Sequence, residues 1–272
     1  MNHRQILLHS LRNKIEQKRF LIAAGVGNLN QVKCCQNQDC DLILLYPVSK
    51  YSSASNPFLA GYLAFGNTND QMLQMASELM PIINSKNVLA GLNGSDPFKI
   101  CPHLLKNMHQ HHFAGIHNYP AMSLVDGTFG MNINSLSLGV DKEITMFKAA
   151  IKEELFTCAM VQTKKQLHDM MRIGVDMIIF YIGLGEGNSI SRDKQRRQHI
   201  HQLNELTKAA HDINPHTPLL FFDESITTID EIPFIIKEVS YINGYCLLPV
   251  TKADYPEHRL ALEISQLQKL SR

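Results

Sequence analysis

Polar side chains that could bind or activate a small substrate follow two apolar runs of the chain. Asn93 and Asp96 come just after the run at 87–92, and Asn118 lies near the end of the run at 114–119. An aspartate at a strand end can bind Mg²⁺ or transfer a proton. An amide can hydrogen-bond to a carboxylate or enolate oxygen. We therefore predict that Asn93 and Asn118 orient substrate oxygens and that Asp96 binds Mg²⁺ or moves a proton.

Each of these residues also has a structural interpretation that the sequence leaves open. Asp96 precedes Pro97, which fits the N-cap of a helix with proline at its first position. Asn118 could be a buried polar group whose hydrogen bonds are satisfied within the protein. Because strand residues alternate in direction, only one of His117 and Asn118 can face the interior of a barrel.

Further candidates lie at the ends of other runs. Tyr46 and Lys50, at and after the end of the second run, could complete a pocket in which Lys50 neutralises a substrate carboxylate. Three acids, Glu186, Asp223 and Glu224, could bind a divalent cation if their loops are neighbours. Their spacing matches no known metal motif, so solvated loop acids are the simpler interpretation.

Eight short apolar runs organise the chain. They are 20–25, 41–46, 87–92, 114–119, 156–161, 176–183, 218–223 and 244–249. Near-continuous apolar runs are typical of parallel strands, which are buried on both faces, and the segments between them show helical spacing. This alternation predicts one (β/α)8 TIM-barrel domain over residues 1–272, with an extra N-terminal helix at 4–18 that could close the barrel floor. We expect the strands to begin near Phe20, Asp41, Asn87, Gly115, Phe156, Asp176, Leu219 and Gly244.

Two connections of this barrel are unusually long. Loops after barrel strands commonly have about two to six residues, whereas the segments 47–69 and 120–138 are much longer. Active sites of such barrels lie at the carboxyl ends of the strands. We therefore predict a pocket between the ends of strands 3 and 4, covered by the loop 47–69, whose small polar stretch 52–56 suits a moving cover.

Composition and charge exclude several classes of function. Lys and Arg number 26 against 25 Asp and Glu, which gives no electrostatic basis for nucleic-acid or anionic-membrane binding. No apolar run approaches the roughly 20 residues of a membrane span, and the N-terminus does not resemble a signal peptide. A cytoplasmic location with six reduced cysteines follows as the expectation. The glycine-rich loop 183–188 lacks the spacing of a dinucleotide site, so we expect no nucleotide cofactor.

Five stretches give the chain a family resemblance. They are 23–28, 57–70, 88–98, 113–129 and 182–190. In order and spacing the chain resembles the phosphoenolpyruvate hydrolase-like barrels, also described as the TIM-barrel signal-transduction family, and a related domain occurs in plant tobamovirus-resistance proteins. The resemblance implies a barrel fold and hydrolase or lyase chemistry. It also implies a site role for Asp126, which otherwise fits a simple Asp-Gly turn, and matches Asn118 to an asparagine of the family pattern.

The chain departs from the family pattern at the ends of strands 6, 7 and 8. The segments 185–188, 221–226 and 247–254 differ from the family pattern, and the two segments after strands 7 and 8 lack the glycines whose backbone N–H groups commonly bind phosphate in barrels. They add Glu186, Asp223 and Glu224, so we predict poor binding of phosphorylated ligands.

Two functions remain open. The first is an enzyme that acts on a small carboxylate or keto acid through an enolate-like species, with a small carboxylate as ligand and Mg²⁺ as the candidate cofactor. The second is a non-catalytic binding or regulatory protein on the same scaffold, which the altered strand ends favour. A second copy of the chain is a further expected partner.

Overall fold

Eight parallel strands form a closed barrel in chain order, each paired with the next and the last with the first. The computed structural model describes residues 2–51, 54, 56–83, 86–183, 192–226, 228–252 and 254–270. The strands are β1 Leu21–Val26, β2 Leu42–Leu45, β3 Val88–Leu92, β4 Gly115–Asn118, β5 Phe156–Val161, β6 Met177–Ile182, β7 Leu219–Asp223 and β8 Gly244–Leu247. Each begins within one residue of its predicted start, which confirms the barrel expected from the apolar runs.

Helices surround the barrel between its strands. They are α1 His3–Glu16, α2 Leu29–Asn37, α3 Pro57–Ala60, α4 Thr68–Leu79, α5 Cys101–Gln110, α6 Gly127–Ser135, α7 Val140–Lys152, α8 Lys164–Arg172, α9 Arg192–Ile213, α10 Ile232–Glu238 and α11 Glu257–Leu267. Every residue of the eight strands is buried, as expected for a sheet whose outer face is covered by helices. Within the described ranges, no helix is both long and apolar enough to cross a membrane.

The predicted N-terminal helix crosses the barrel end opposite the predicted site. Arg4 pairs with Asp176 at 2.8 Å, and Lys14 pairs with Asp41. These two aspartates immediately precede β6 and β2, and each also accepts a backbone N–H bond from the neighbouring strand. Helix α1 therefore fastens the amino ends of the strands and closes the barrel floor.

Both long connections contain helices of their own. The connection after β2 contains a 3₁₀ turn at Ser49–Tyr51 and the short helix α3 before α4 begins. The connection after β4 contains a 3₁₀ turn at Met122–Leu124 and helix α6. Both lie at the carboxyl ends of the strands, the rim where barrels carry their functional groups.

Candidate active site on the strand-end rim

Four aromatic side chains fill the mouth of the barrel. Tyr46, Tyr119 and Tyr181 come from the ends of β2, β4 and β6, and Phe58 comes from α3; none is more than 2% exposed. The Phe58 ring centroid lies 5.7 Å from Tyr46, 5.2 Å from Tyr119 and 5.8 Å from Tyr181. We call these four residues the aromatic plug. The loop 47–69, which we predicted to cover a pocket, fills the barrel mouth with the side chain of Phe58.

Close approach at two glycines makes room for the plug. A Cβ atom on Gly61 would lie 2.0 Å from the Tyr119 hydroxyl, and one on Gly25 would lie 2.6 Å from the Tyr46 ring. Tyr119 donates a hydrogen bond of 2.6 Å to the Phe58 carbonyl, which fixes α3 over the mouth.

Tyr46, predicted to contact substrate, is buried in this plug. Its hydroxyl lies 3.3 Å from that of Tyr181, and burial raises its pKa well above the usual value. A substrate contact for Tyr46 stays a prediction, and it requires the plug to move.

Strand β4 sends its two polar side chains in opposite directions. His117 packs against the Tyr46 ring inside the barrel, and Gly91 of β3 leaves it room. Burial lowers the His117 pKa to about 3, so this imidazole is neutral at physiological pH. Asn118 points outward, where its Oδ1 accepts from the Met160 N–H at 2.8 Å and its Nδ2 donates to the Met160 carbonyl at 3.2 Å. The geometry supports the interpretation of Asn118 as a satisfied polar group in the barrel wall.

Glu143 completes the Asn118 network and was missed by sequence reasoning. Its carboxylate is 1% exposed and accepts from the Met122 N–H at 2.8 Å and from Asn118 at 3.3 Å. Burial raises its pKa to about 7. The helical spacing of Glu143 with the apolar residues Met146, Phe147 and Ala150 was the available signal, because it places an acid on the buried face of α7.

Asn93 and Asp96 are linked by the amino end of α4. The Asn69 amide donates to the Asn93 carbonyl and to Asp96 Oδ2, both at 3.0 Å, and Asn67 donates to the same Asp96 oxygen at 2.8 Å. Asp96 Oδ1 accepts from the Phe98 N–H, which forms a turn. The N-cap interpretation of Asp96 is wrong, because α5 begins at Cys101. The Asp96 carboxylate instead accepts hydrogen bonds from Phe98, Asn67 and Asn69.

Lys50 and Asp126 lie outside this network. Lys50 is exposed on the 3₁₀ turn after β2. Asp126 is exposed at the N-cap of α6 without a side-chain capping bond. The structure thus joins Asn93 to Asp96 and places Asn118 in the adjacent strand, but it does not gather the predicted residues around one open pocket.

The end of β7 carries a buried pair of titratable groups. Asp223 Oδ2 lies 2.8 Å from His199 Nδ1, and both side chains are no more than 2% exposed. Ser225 Oγ donates to Asp223 Oδ1 at 2.7 Å. Asp223 is therefore committed to a local network and is not the solvated acid considered above, whereas Glu186 lies outside the described residues.

A small cavity opens beside this pair, between the ends of β7 and β8. Its volume is about 40 Å³, and Glu224, Lys252, Tyr255 and Glu263 are among its lining residues. Glu224 Oε2 is buried and has no hydrogen-bond partner among the described residues. Burial raises the pKa of this carboxyl, and the positive charge of Lys252 acts in the opposite direction.

A larger groove adjoins the cavity on the same rim. It has a volume of about 530 Å³ and spans the ends of β1, β2 and β8, with Asn28, Ser49 and Lys252 among its lining residues. Lys252 and Tyr255 line both spaces. We call the cavity and groove together the β7–β1 rim site.

The described residues contain no cluster of three or more metal-ligating side chains (His, Cys, Asp or Glu) that could hold an ion. A Mg²⁺ requirement therefore stays a prediction, and no chemical step is routed through a metal.

The fold and motifs agree with a known family. The family model for phosphoenolpyruvate hydrolase-like proteins matches residues 6–248. The chain belongs to this family. This phosphoenolpyruvate hydrolase-like protein is 28% identical over 247 residues to the ToMV resistance protein Tm-1(GCR237) of Solanum lycopersicum. That match covers 90% of this chain but 33% of the tomato protein, so the chain spans about a third of its relative's length.

Solved structures share the barrel. Oxaloacetate acetylhydrolase, solved with 3,3-difluorooxalacetate, gives a TM-score of 0.56 at 12% identity, covering 96% of this chain and 92% of that one. 2,3-Dimethylmalate lyase, described as a member of the PEP mutase/isocitrate lyase superfamily, gives 0.52 at 16% identity over 89% and 80%. At these identities the likeness establishes the fold.

Proposed function

We propose that this protein is a hydrolase- or lyase-type enzyme that acts on a small carboxylate at the β7–β1 rim site. The observation that carries the proposal is Glu224, which lines a cavity at a strand end and whose buried Oε2 has no hydrogen-bond partner among the described residues. A carboxyl with a raised pKa in such a position is suited to hold or move a proton. It lies where barrel enzymes place their reactive groups.

Lys252 supplies the complementary group for a carboxylate. It is exposed, lines both the cavity and the groove, and lies 6.0 Å from the Tyr255 ring centroid. A substrate in the groove would place its carboxylate at Lys252 and its reacting end towards Glu224. The Asp223–His199 pair would act indirectly, by fixing the end of β7 that positions Glu224.

The comparisons support the class of substrate. The family is described as phosphoenolpyruvate hydrolase-like, and the two solved barrels are named for reactions of oxaloacetate and 2,3-dimethylmalate, both small carboxylates. The absence of glycine from the segments 221–226 and 247–254 argues against a phosphorylated substrate.

The alternative is a non-catalytic binding protein. The filled mouth favours it, because Phe58 occupies the centre of the barrel where a central substrate would lie. Large apolar side chains are also exposed on the loops after β2, β3 and β4: Leu63, Phe65, Phe98, Phe129 and Leu136. Exposed apolar side chains of this kind can mark an interaction surface.

A ligand screen with paired variants tests the proposal. Pyruvate, oxaloacetate, 2-oxoglutarate and malate, each with and without Mg²⁺, would be followed by thermal shift and by NMR for turnover. We expect at least one to bind or react, with loss in Lys252→Ala and retention in Lys50→Ala. Loss in Lys50→Ala alone would return the site to the β2–β4 side. No binding and no turnover with these acids or with the matching amino acids alanine and glutamate would reject the enzyme in favour of the alternative.

Phosphoenolpyruvate is the phosphorylated arm of the same screen. We expect it to bind more weakly than its unphosphorylated analogues, because Glu224 and Asp223 place negative charge where a phosphate would lie. Micromolar binding of phosphoenolpyruvate by calorimetry at physiological salt would contradict this expectation.

A further inference from the structure

Most charged groups around the small cavity are paired within the protein. Asp223 accepts from Ser225 and pairs with His199. Glu263 pairs with Arg259 at 2.9 Å and also accepts from the Tyr255 hydroxyl. These groups already form hydrogen bonds and ion pairs within the protein, so they have few free hydrogen-bonding positions for a ligand.

Glu224 and Lys252 are the exceptions. Both line the cavity, yet none of the ion pairs among the described residues joins them. Their charges nevertheless influence each other, since Lys252 opposes the effect of burial on the Glu224 pKa. One negative and one positive group thus face the same space without a direct contact.

Lys252 lies where the cavity meets the groove. It contributes to the walls of both spaces, as does Tyr255. A ligand in the groove can therefore reach Lys252 from the solvent side, while only a small substituent fits into the cavity of about 40 Å³ beside Glu224. Phe222, Leu247 and Leu248 also line the cavity and would limit water access to a group bound there.

We infer that the ligand of the β7–β1 rim site is a zwitterion, an amino acid whose carboxylate contacts Lys252 and whose ammonium group contacts Glu224. This inference rests on the proposed function and narrows its substrate class. An ammonium group fits because it is small and donates hydrogen bonds. Its positive charge also complements the Glu224 carboxylate. The nearby Tyr255 ring adds a face that attracts cations, as its contact with Arg259 at 5.0 Å illustrates.

The same geometry disfavours a keto group or a second carboxylate in that position. A keto oxygen only accepts hydrogen bonds, so it gains nothing from an ionised Glu224, and a carboxylate would be repelled. Unphosphorylated amino acids meet the charge pattern of the site without either conflict.

Matched ligands with one carbon skeleton provide the test. Alanine, lactate and pyruvate form one trio, and glutamate, 2-hydroxyglutarate and 2-oxoglutarate form another; binding to the full chain would be measured by calorimetry and saturation-transfer NMR. We expect the amino acid of at least one trio to bind about tenfold tighter than its hydroxy and keto analogues, a difference of about 1.4 kcal/mol. Glu224→Gln should remove that preference, and the exposed-acid control Glu238→Gln should keep it.

The outcomes separate this inference from the proposed function. Keto or hydroxy acids that bind as tightly as the amino acid, with loss in Lys252→Ala, would overturn the inference and retain the function. No binding by either trio, together with a negative carboxylate screen, would overturn both. If Glu224→Gln fails to fold, the affinities of each trio for the wild type and for Lys252→Met still test the inference. A zwitterionic ligand requires that the amino acid bind the wild type most tightly and that its binding be lost in Lys252→Met.

Discussion

The β2–β4 side of the rim is filled by packed side chains, whereas the β7–β1 side holds two charged groups, Glu224 and Lys252, that no ion pair among the described residues joins. Phe58 and Tyr119 close the first side, and the Asn118–Glu143 network fixes its loops. Glu224 and Lys252 leave the second side open to a ligand. The first side carries most of the stretches that resemble the family, and the second carries the strand ends that depart from it. Most of the shared motifs therefore lie in the β2–β4 loops, whereas the departures at the ends of β7 and β8 line the cavity of the candidate site.

The substitution expected to have the largest effect on stability is Phe58→Ala. Removing a fully buried aromatic side chain from the plug should lower the free energy of unfolding by about 3–5 kcal/mol. Urea denaturation measures the change. The control is Phe65→Ala in the same loop, where the side chain is 69% exposed and the change should stay within about 0.5 kcal/mol. Equal, small effects of both variants would show that Phe58 does not hold the mouth closed.

A pH-dependent effect follows from Glu143. Its pKa is raised from 4.5 to about 7 in the folded protein, so between these values the folded state holds a proton that the unfolded state has released. The Glu143 contribution to stability therefore falls as pH rises through that window. Glu143→Gln keeps an acceptor for Met122 and Asn118 but does not titrate, so it should exceed the wild type in stability by about 3 kcal/mol at pH 8.

Denaturation at pH 5 and pH 8 measures the Glu143 effect. The comparison is between variant and wild type at each pH, because all other ionisable groups are the same in both proteins. Glu238→Gln, at an exposed acid, should follow the wild type at both values. An identical pH dependence in Glu143→Gln and the wild type would contradict a raised pKa for Glu143.

The smallest expected effect on stability comes from a pair of variants, Asn118→Ala and Lys252→Ala, that separates a structural role from a role in ligand binding. Asn118→Ala leaves the Met160 backbone groups without their side-chain partner and should cost about 2 kcal/mol of stability. It should leave ligand binding at the β7–β1 rim site unchanged. Lys252→Ala should do the reverse, with a stability change within about 0.5 kcal/mol and loss of ligand binding. Loss of binding in a folded Asn118→Ala protein would move the site back to the β2–β4 side.

The sequence by itself determined the architecture. Parallel strands buried on both faces require continuous apolar runs, and eight such runs with helical spacers predicted every strand start. The extra N-terminal helix followed from its own amphipathic pattern. The long connections after β2 and β4 were also evident, because loop length is a property of the sequence.

Only the tertiary structure decided which polar groups are free to act. Alternation showed that His117 and Asn118 face opposite sides, but not which side each takes, because that depends on how the closed barrel places β4 against α7. Asp223 meets His199, and Glu224 shares a cavity with Lys252, across distances in the chain that local patterns do not encode. Whether a side chain binds a ligand depends on which partners already satisfy it, and those partners come from distant segments brought together by folding.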